Sequence, residues 1–230
     1  MTLIIYFTFI FLSSIILFGW GNLFLKLCNV NETNYFLITP ILGSFFIGCN
    51  TVILHFFFPI GNIIGNIILI IGVLFFFLKS NIKKKIEFTL ILSVISFVTI
   101  LFDNINRPDA ALYHLPYLGY LNESKIILGL NNLEPRYGYA SFLQYISSGF
   151  TNTIFQDRAL FFPIVSIFSC SLIFFLKNFY LENNIKLKII SLFFLFVIII
   201  DTNRFSEFGN DKIAHIIFFI FIFFIFKFLI

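Results

Sequence analysis

YFLITPILGSFFIGCNTVILHFFFPIGNIIGNIILIIGVLFFFL, residues 35–78, carries no charged side chain and one neutral-capable histidine, His55. A membrane-spanning helix needs about 20 mostly apolar residues, so a run of this length holds two. The sequence FPIGN at residues 58–62 combines proline, glycine and asparagine, the signal for a tight turn between them. A helical hairpin is therefore expected, with spans at residues 35–58 and 61–78. Gly61 and Gly65 open the second span in a GxxxG spacing. That spacing either marks a close-packing face or arises by chance.

The rest of the chain extends this pattern. Of 230 residues, 60% are hydrophobic and 11% charged, against about 25% charged in soluble domains. That is too little charge to coat a water-soluble globule. Further apolar runs predict spans at 3–26, 86–102, 158–176, 186–201 and 213–230, about seven in all. The uncharged part of the sixth, Ile189 to Ile200, rises only about 18 Å. Either Lys186 and Lys188 lengthen it by snorkelling or it is sheltered inside the bundle. The predicted fold class is all-α: a polytopic transmembrane helix bundle with interfacial helices in a large outer loop. Its parts are a four-helix segment at 1–102, the loop at 103–157 and a three-helix segment at 158–230. Strands alternating apolar and polar residues, the mark of a transmembrane barrel, do not occur. No Lys or Arg precedes the first apolar run and no small-residue cleavage site follows it, so the first helix is expected to be retained. Cys28, Cys49 and Cys170 lack ligand-like spacing and read as small buried hydrophobes. The net charge of +4 comes from basic span flanks, and no basic stripe with interleaved aromatics suggests nucleic acid as a partner.

Lysines set the orientation. KSNIKKK, residues 79–85, places four of them between the third and fourth spans, so this connection is expected to be cytoplasmic. Alternation then puts Lys26, Lys177, Lys186, Lys188 and Lys227 on the same side. All four arginines and all five aspartates fall on the other side. Topology signals use Lys and Arg interchangeably, so this sorting either reflects a site for phosphate, metal or protons on the outer face or is an accident of few charges.

Two outer segments carry those residues. In RPDAALYHLPYLGYLNES, residues 107–124, a helix can begin near Asp109, an acceptable N-cap. At 100° per residue Asp109, Tyr113, Tyr117 and Tyr120 share one face, with Leu115, Leu118 and Leu121 toward the other. Such a helix is expected along the membrane interface, kinked or shortened at Pro116. Headgroup anchoring accounts for Tyr117 and Tyr120, and His114 lies off their face. Next, Pro135 and Gly138 bracket Arg136, placing its guanidinium on a turn. YASFLQYISSGF, residues 139–150, is too polar and short to span, and is expected to form a second interfacial helix packed on the first. The other outer segment, DTNRFSEFGNDKIAH at 201–215, gathers Asp201, Arg204, Glu207 and Asp211. Acidic groups at a bundle mouth are costly unless paired or used, and Arg204 and Lys212 are available as partners.

PDAALYHLPYLGYL, NNLEPRYGYASFLQYIS and SEFGNDKIAHIIFF together resemble the GT-C superfamily of polytopic glycosyltransferases, which take sugars from lipid-phosphate carriers. The resemblance covers residues 103–215. It implies Asp109 as the catalytic base in the outer loop, with Tyr113 and His114 behind it, and Asp211 as the acidic residue preceding a later helix. Arg136, Arg204 and Arg107 would bind the donor phosphate by paired hydrogen bonds. Asp211 or Glu207 would orient the acceptor or help hold a divalent metal; no other cofactor is implied, and the absence of GxGxxG or GxxxxGK[ST] fits a donor that is no nucleotide. The implied location is the inner (plasma) membrane of a bacterium, with membrane lipid and a lipid-phosphate-linked sugar as partners. Members of the superfamily are usually longer, so the chain is expected to be an N-terminal fragment or a shortened relative. Two alternatives remain at this point: a transporter or flippase for lipid-linked sugars, and a non-catalytic membrane subunit or truncated remnant.

Overall fold

The computed structural model describes residues 3–78, 81–102, 110–138, 141–200, 202 and 212–229. Among these residues every regular element is helical. The long helices are α1 (Leu3–Leu27), α3 (Thr39–His55), α4 (Gly61–Phe77), α5 (Ile82–Phe102), α8 (Phe162–Leu181), α9 (Ile185–Ile200) and α10 (Lys212–Leu229); short ones are α2 (Glu32–Tyr35), α6 (Leu115–Glu123) and α7 (Phe142–Ser148). Four are long and apolar enough to cross a membrane: α1, α8, α10 and α3 with its 3₁₀ lead-in, Phe36–Ile38. The expected seven apolar segments are all helices. Two of them, α4 and α9, are 17 and 16 residues long, and α5 carries Lys83, Lys84, Lys85 and Glu87 in its first turns.

Local sequence accounts for the helix ends. Asn29 adopts a left-handed conformation (φ 54°), and the Val30 amide reaches back to the Leu25 carbonyl at 2.9 Å, a Schellman closure that stops α1. Proline sits in the first turns of α3, α6 and α8, where a missing N–H costs nothing. The expected hairpin between α3 and α4 forms over residues 56–60. The Ile60 amide then bonds to the Leu121 carbonyl at 2.8 Å, which joins the hairpin to α6.

Central α1 packs against α3, α4, α5 and α8. Glycine permits the closest approach: a Cβ at Gly19 of α1 would lie 1.8 Å from the Gly72 carbonyl oxygen of α4. With the backbones this near, Trp20 donates its indole N–H to the Ile68 carbonyl at 2.8 Å. Serines link further helices, Ser14 with Ser93 at 3.0 Å and Ser96 with Ser169 at 2.9 Å. Such polar contacts serve where lipid, as apolar as leucine, offers no hydrophobic drive for helix association.

The exterior is apolar where the interior is partly polar. On α5, Thr89, Ser93 and Ser96 are completely buried, whereas Leu90, Ile91, Val94 and Val98 are 43–53% exposed. Water would favour the reverse; hydrocarbon suits this arrangement. Ile189, Leu192, Phe193, Phe196 and Ile199 give α9 a similarly exposed apolar face, so α9 is not sheltered inside the bundle. Its inner face stacks Phe194 on Phe219 of α10 at 4.7 Å. Of the cysteines, Cys170 is buried, Cys49 intermediate and Cys28 exposed. The expectation of a buried thiol fails for Cys28 because it lies just past the end of α1.

Candidate functional site

The end of the bundle away from Lys84 and Lys85 is closed by α6, α7 and the turns between them. Residues 110–114 form a π-helical turn that passes into α6 at Leu115. Pro116 lacks the N–H that an α-helix would direct to residue 112, and the wider turn ahead of it accommodates that loss. Among the described residues this helical segment begins at Ala110; Asp109 lies outside them.

The expected tyrosine face is present, but covered. The Arg136 guanidinium sits 4.9 Å from the ring centre of Tyr113. Tyr137 packs against Tyr117 at 5.8 Å and Tyr120 at 5.6 Å. The 3₁₀ turn Pro135–Gly138 therefore lies along the face that the 100° spacing defines. Tyr117 is buried, as are Leu118 and Leu121. That corrects the headgroup-anchor reading of Tyr117, whose ring turns into the bundle because α7 supplies a partner there.

Packing of α7 on α6 follows the sequence expectation, yet α7 is not a surface helix. Gln144, Tyr145, Ile146, Ser147 and Ser148 are all buried. The helix wedges between α3, α6 and α8, with Phe142 and Ile146 filling the space beside Gly48 of α3. Polar groups of the described part of this segment are consumed internally. Ser147 donates to the Leu160 carbonyl at 2.9 Å, Ser148 to the Asn122 side chain, and Thr51 to the Tyr145 carbonyl at 3.2 Å. Gly61 and Gly65 admit this same region: a Cβ on Gly65 would fall 1.8 Å from the Thr151 carbonyl oxygen, and one on Gly61 2.6 Å from that of Asn122. The GxxxG spacing thus marks a packing face whose partner is the segment connecting α5 to α8 rather than another long helix.

Two histidines are fixed by this packing. Gln144 accepts the Ser141 amide through Oε1 at 3.3 Å, which directs its Nε2 to His114 Nδ1 at 2.7 Å. An amide nitrogen can only donate, so His114 Nδ1 is the accepting nitrogen and the ring proton belongs on Nε2. His55, the last residue of α3, bonds through Nε2 to the Ser124 carbonyl at 3.0 Å and through Nδ1 to the Tyr145 hydroxyl at 3.0 Å. The carbonyl can only accept, so Nε2 carries the proton and Nδ1 accepts from Tyr145. The Tyr117 hydroxyl in turn engages that of Tyr145. Sequence reading singled out His55 as an ionisable residue inside a span but attached no role to it. Its partners lie about 70 and 90 residues away, and no local spacing announces them.

A cavity of about 230 Å³ opens above this relay, lined by His55, Tyr117, Tyr120, Lys125, Tyr137 and Tyr145. Burial raises the Tyr117 phenol far above its ordinary value, with the Tyr145 charge and hydroxyl adding to the rise. Burial also raises Tyr145, partly offset by the Tyr117 hydrogen bond, and Tyr137, where Tyr120 and Glu134 contribute. These phenols stay protonated at neutral pH and act as hydrogen-bond donors and apolar ring faces, not as bases. A second cavity, about 660 Å³, lies on the opposite side of α6 against Leu115, Gly119, Asn122 and the start of α4. A Cβ on Gly119 would meet nothing within 4 Å.

Of the residues expected to form the site, Tyr113, His114 and Arg136 come together here. Arg107, Asp109, Arg204, Glu207 and Asp211 lie outside the described residues. Among the described residues no three His, Cys, Asp or Glu side chains group in a way that could hold a metal ion.

The fold and site define an all-helical bundle with an apolar exterior and, at one end, two cavities, one of them lined by tyrosines, built from a folded-in connecting segment. The chain belongs to the family described as Domain of unknown function (DUF8201), whose model matches residues 1–230. No curated protein and no solved structure matches it.

Proposed function

We propose that the chain is a polytopic protein of the bacterial plasma membrane, crossing about seven times, that transfers a sugar from a lipid-phosphate carrier to an acceptor at the outer face. Crossings at α4, α5 and α9 add to the four longer helices; snorkelling lysines extend the shorter ones. The observation that carries the reading is the meeting of Tyr113, His114 and Arg136. They come from two stretches of one outer loop, and Tyr113 and His114 follow Asp109 closely in sequence. Arg136 is half exposed, with only a loose 3.7 Å approach to Glu134. Its planar fork is thereby free to take a phosphate at headgroup level. Tyrosine rings and hydroxyls beside it suit a sugar, whose faces are apolar and whose rim is hydroxylated.

The reaction is a displacement at the anomeric carbon. The acceptor oxygen forms the new bond, the bond from that carbon to the phosphate oxygen breaks, and the lipid phosphate leaves with the electron pair. Asp109 takes the acceptor's proton, a contribution of about 10²–10⁴-fold. Arg136, with Arg204 and Arg107, stabilises the departing phosphate. Asp211 and Glu207 orient the acceptor or help bind a divalent cation. The test is transfer of radiolabel from a lipid-phosphate sugar in membranes containing the full chain. Asp109→Asn is expected to abolish transfer and Arg136→Ala to weaken donor use, with insertion intact. Transfer unchanged by both variants overturns the reading, and passage of the intact lipid-linked sugar across the bilayer without transfer favours a flippase.

A further inference from the structure

The lysine-rich end of the bundle holds a cavity unrelated to the site above. It measures about 190 Å³ and is lined by Lys84 of α5, Lys177 of α8 and Lys227 of α10, with Thr33, Asn178 and Phe224 among its walls. We propose that this cavity binds the phosphate of an anionic glycerophospholipid of the cytoplasmic leaflet. The proposal does not depend on sugar transfer.

Charge is the first ground. Lys227 is paired with Glu182 at 2.9 Å, and the Lys84 ammonium lies 4.7 Å from the Phe36 ring centre. Among the described residues neither Lys84 nor Lys177 forms an ion pair. Three lysines less one glutamate leave the set at +2, and lysines from three separate helices line one cavity. Helix stability explains only part of this. Lys177 and Lys227 sit near the carbonyl ends of α8 and α10, where a cation is favourable. Lys84 is in the first turn of α5, where the helix dipole disfavours it. The positive-inside tendency accounts for lysines on this side, not for their convergence on one cavity.

Shape is the second ground. The polar lining is backed by phenylalanines of α8 and α10 that continue toward an exposed apolar exterior, with Phe221 60% and Phe228 90% exposed. A ligand that puts a phosphate among ammonium groups and a hydrocarbon chain along α10 satisfies both surfaces. Basic pockets between helices on the cytoplasmic side recognise lipid phosphates in this way, and lysine binds phosphate as a point charge.

The experiment is native mass spectrometry of the full chain in detergent, titrated with dioleoyl phosphatidylglycerol, dioleoyl phosphatidylcholine or inorganic phosphate. A preference for phosphatidylglycerol of at least tenfold over phosphatidylcholine is expected, with no displacement by millimolar inorganic phosphate. Each lysine removed should cost about fivefold. The exposed single variant Lys177→Gln should show that step without disturbing the fold, and Lys84→Gln/Lys177→Gln/Lys227→Gln should lose the preference. Lys26→Gln/Lys83→Gln/Lys186→Gln, at the same end but outside the cavity, should keep it. Equal binding of the two lipids, equal loss in the control triple, or displacement by free phosphate overturns the proposal.

Discussion

Replacing Tyr145 by Phe deletes one oxygen from a side chain only 6% exposed, and the structure says which groups lose by it. His55 Nδ1 loses its donor at 3.0 Å, and the Tyr117 hydroxyl loses the oxygen it engages. A buried polar group left unpaired costs about 1–3 kcal/mol. Tyr117 and His55 both line the 230 Å³ cavity, so water can make up part of what each loses. The expected loss is therefore about 1–2 kcal/mol, roughly a tenfold shift in the unfolding equilibrium. His55→Phe removes the same bond from the other side and also strips the Ser124 carbonyl of its donor. The double variant removes both partners together, so it should be less damaging than the sum by about 1 kcal/mol. Trp20 is the only tryptophan and is buried against α4, which makes its fluorescence a single-site probe of unfolding by dodecyl sulfate in mixed micelles. The Ile126 amide, which bonds to the His55 carbonyl at 3.0 Å, should exchange faster in both single variants. Additivity of the two substitutions within about 0.5 kcal/mol would refute the relay.

Further outcomes can be checked with the same preparation. Gly65→Ala forces the Thr151 backbone to retreat by more than about 1 Å and should cost about 1–3 kcal/mol, whereas Gly119→Ala, with open space around it, should be neutral or gain up to about 1 kcal/mol from helix propensity; thermal unfolding of the pair reads the contrast. Gln144→Leu removes the acceptor for the Ser141 amide and the donor to His114, and should cost about 1 kcal/mol with fraying at the start of α7, seen as faster amide exchange there. Glu182 is held below its ordinary value, first by the Lys227 hydrogen bond. A depressed carboxyl contributes stability that is present above its unfolded value of about 4.5 and is lost as pH falls through the lower folded value. The pair is partly exposed, so less than about 1 kcal/mol is at stake; a Lys227→Gln variant should lack that acid-side slope in a stability–pH profile.

Much of the bundle was legible in one dimension. Uncharged length marked α1, α3, α4, α8 and α10, FPIGN marked the turn after α3, and a 100° spacing marked the face of Tyr113, Tyr117 and Tyr120. These are local properties: the cost of charge in hydrocarbon, the φ preferences of proline and glycine, and helical periodicity each act within a few residues. Periodicity defines a face without saying what covers it, and there the tertiary structure decided. It assigned Arg136 and Tyr137 to the tyrosine face and gave Gly65 the Thr151 carbonyl as its neighbour. It also drew α7 into the interior, where polarity and length pointed to an interfacial helix. Each of these depends on partners far apart in the chain, as His55 depends on Ser124 and Tyr145. Only the folded backbone brings such groups within hydrogen-bonding reach, so no pattern along the chain encodes the pairing.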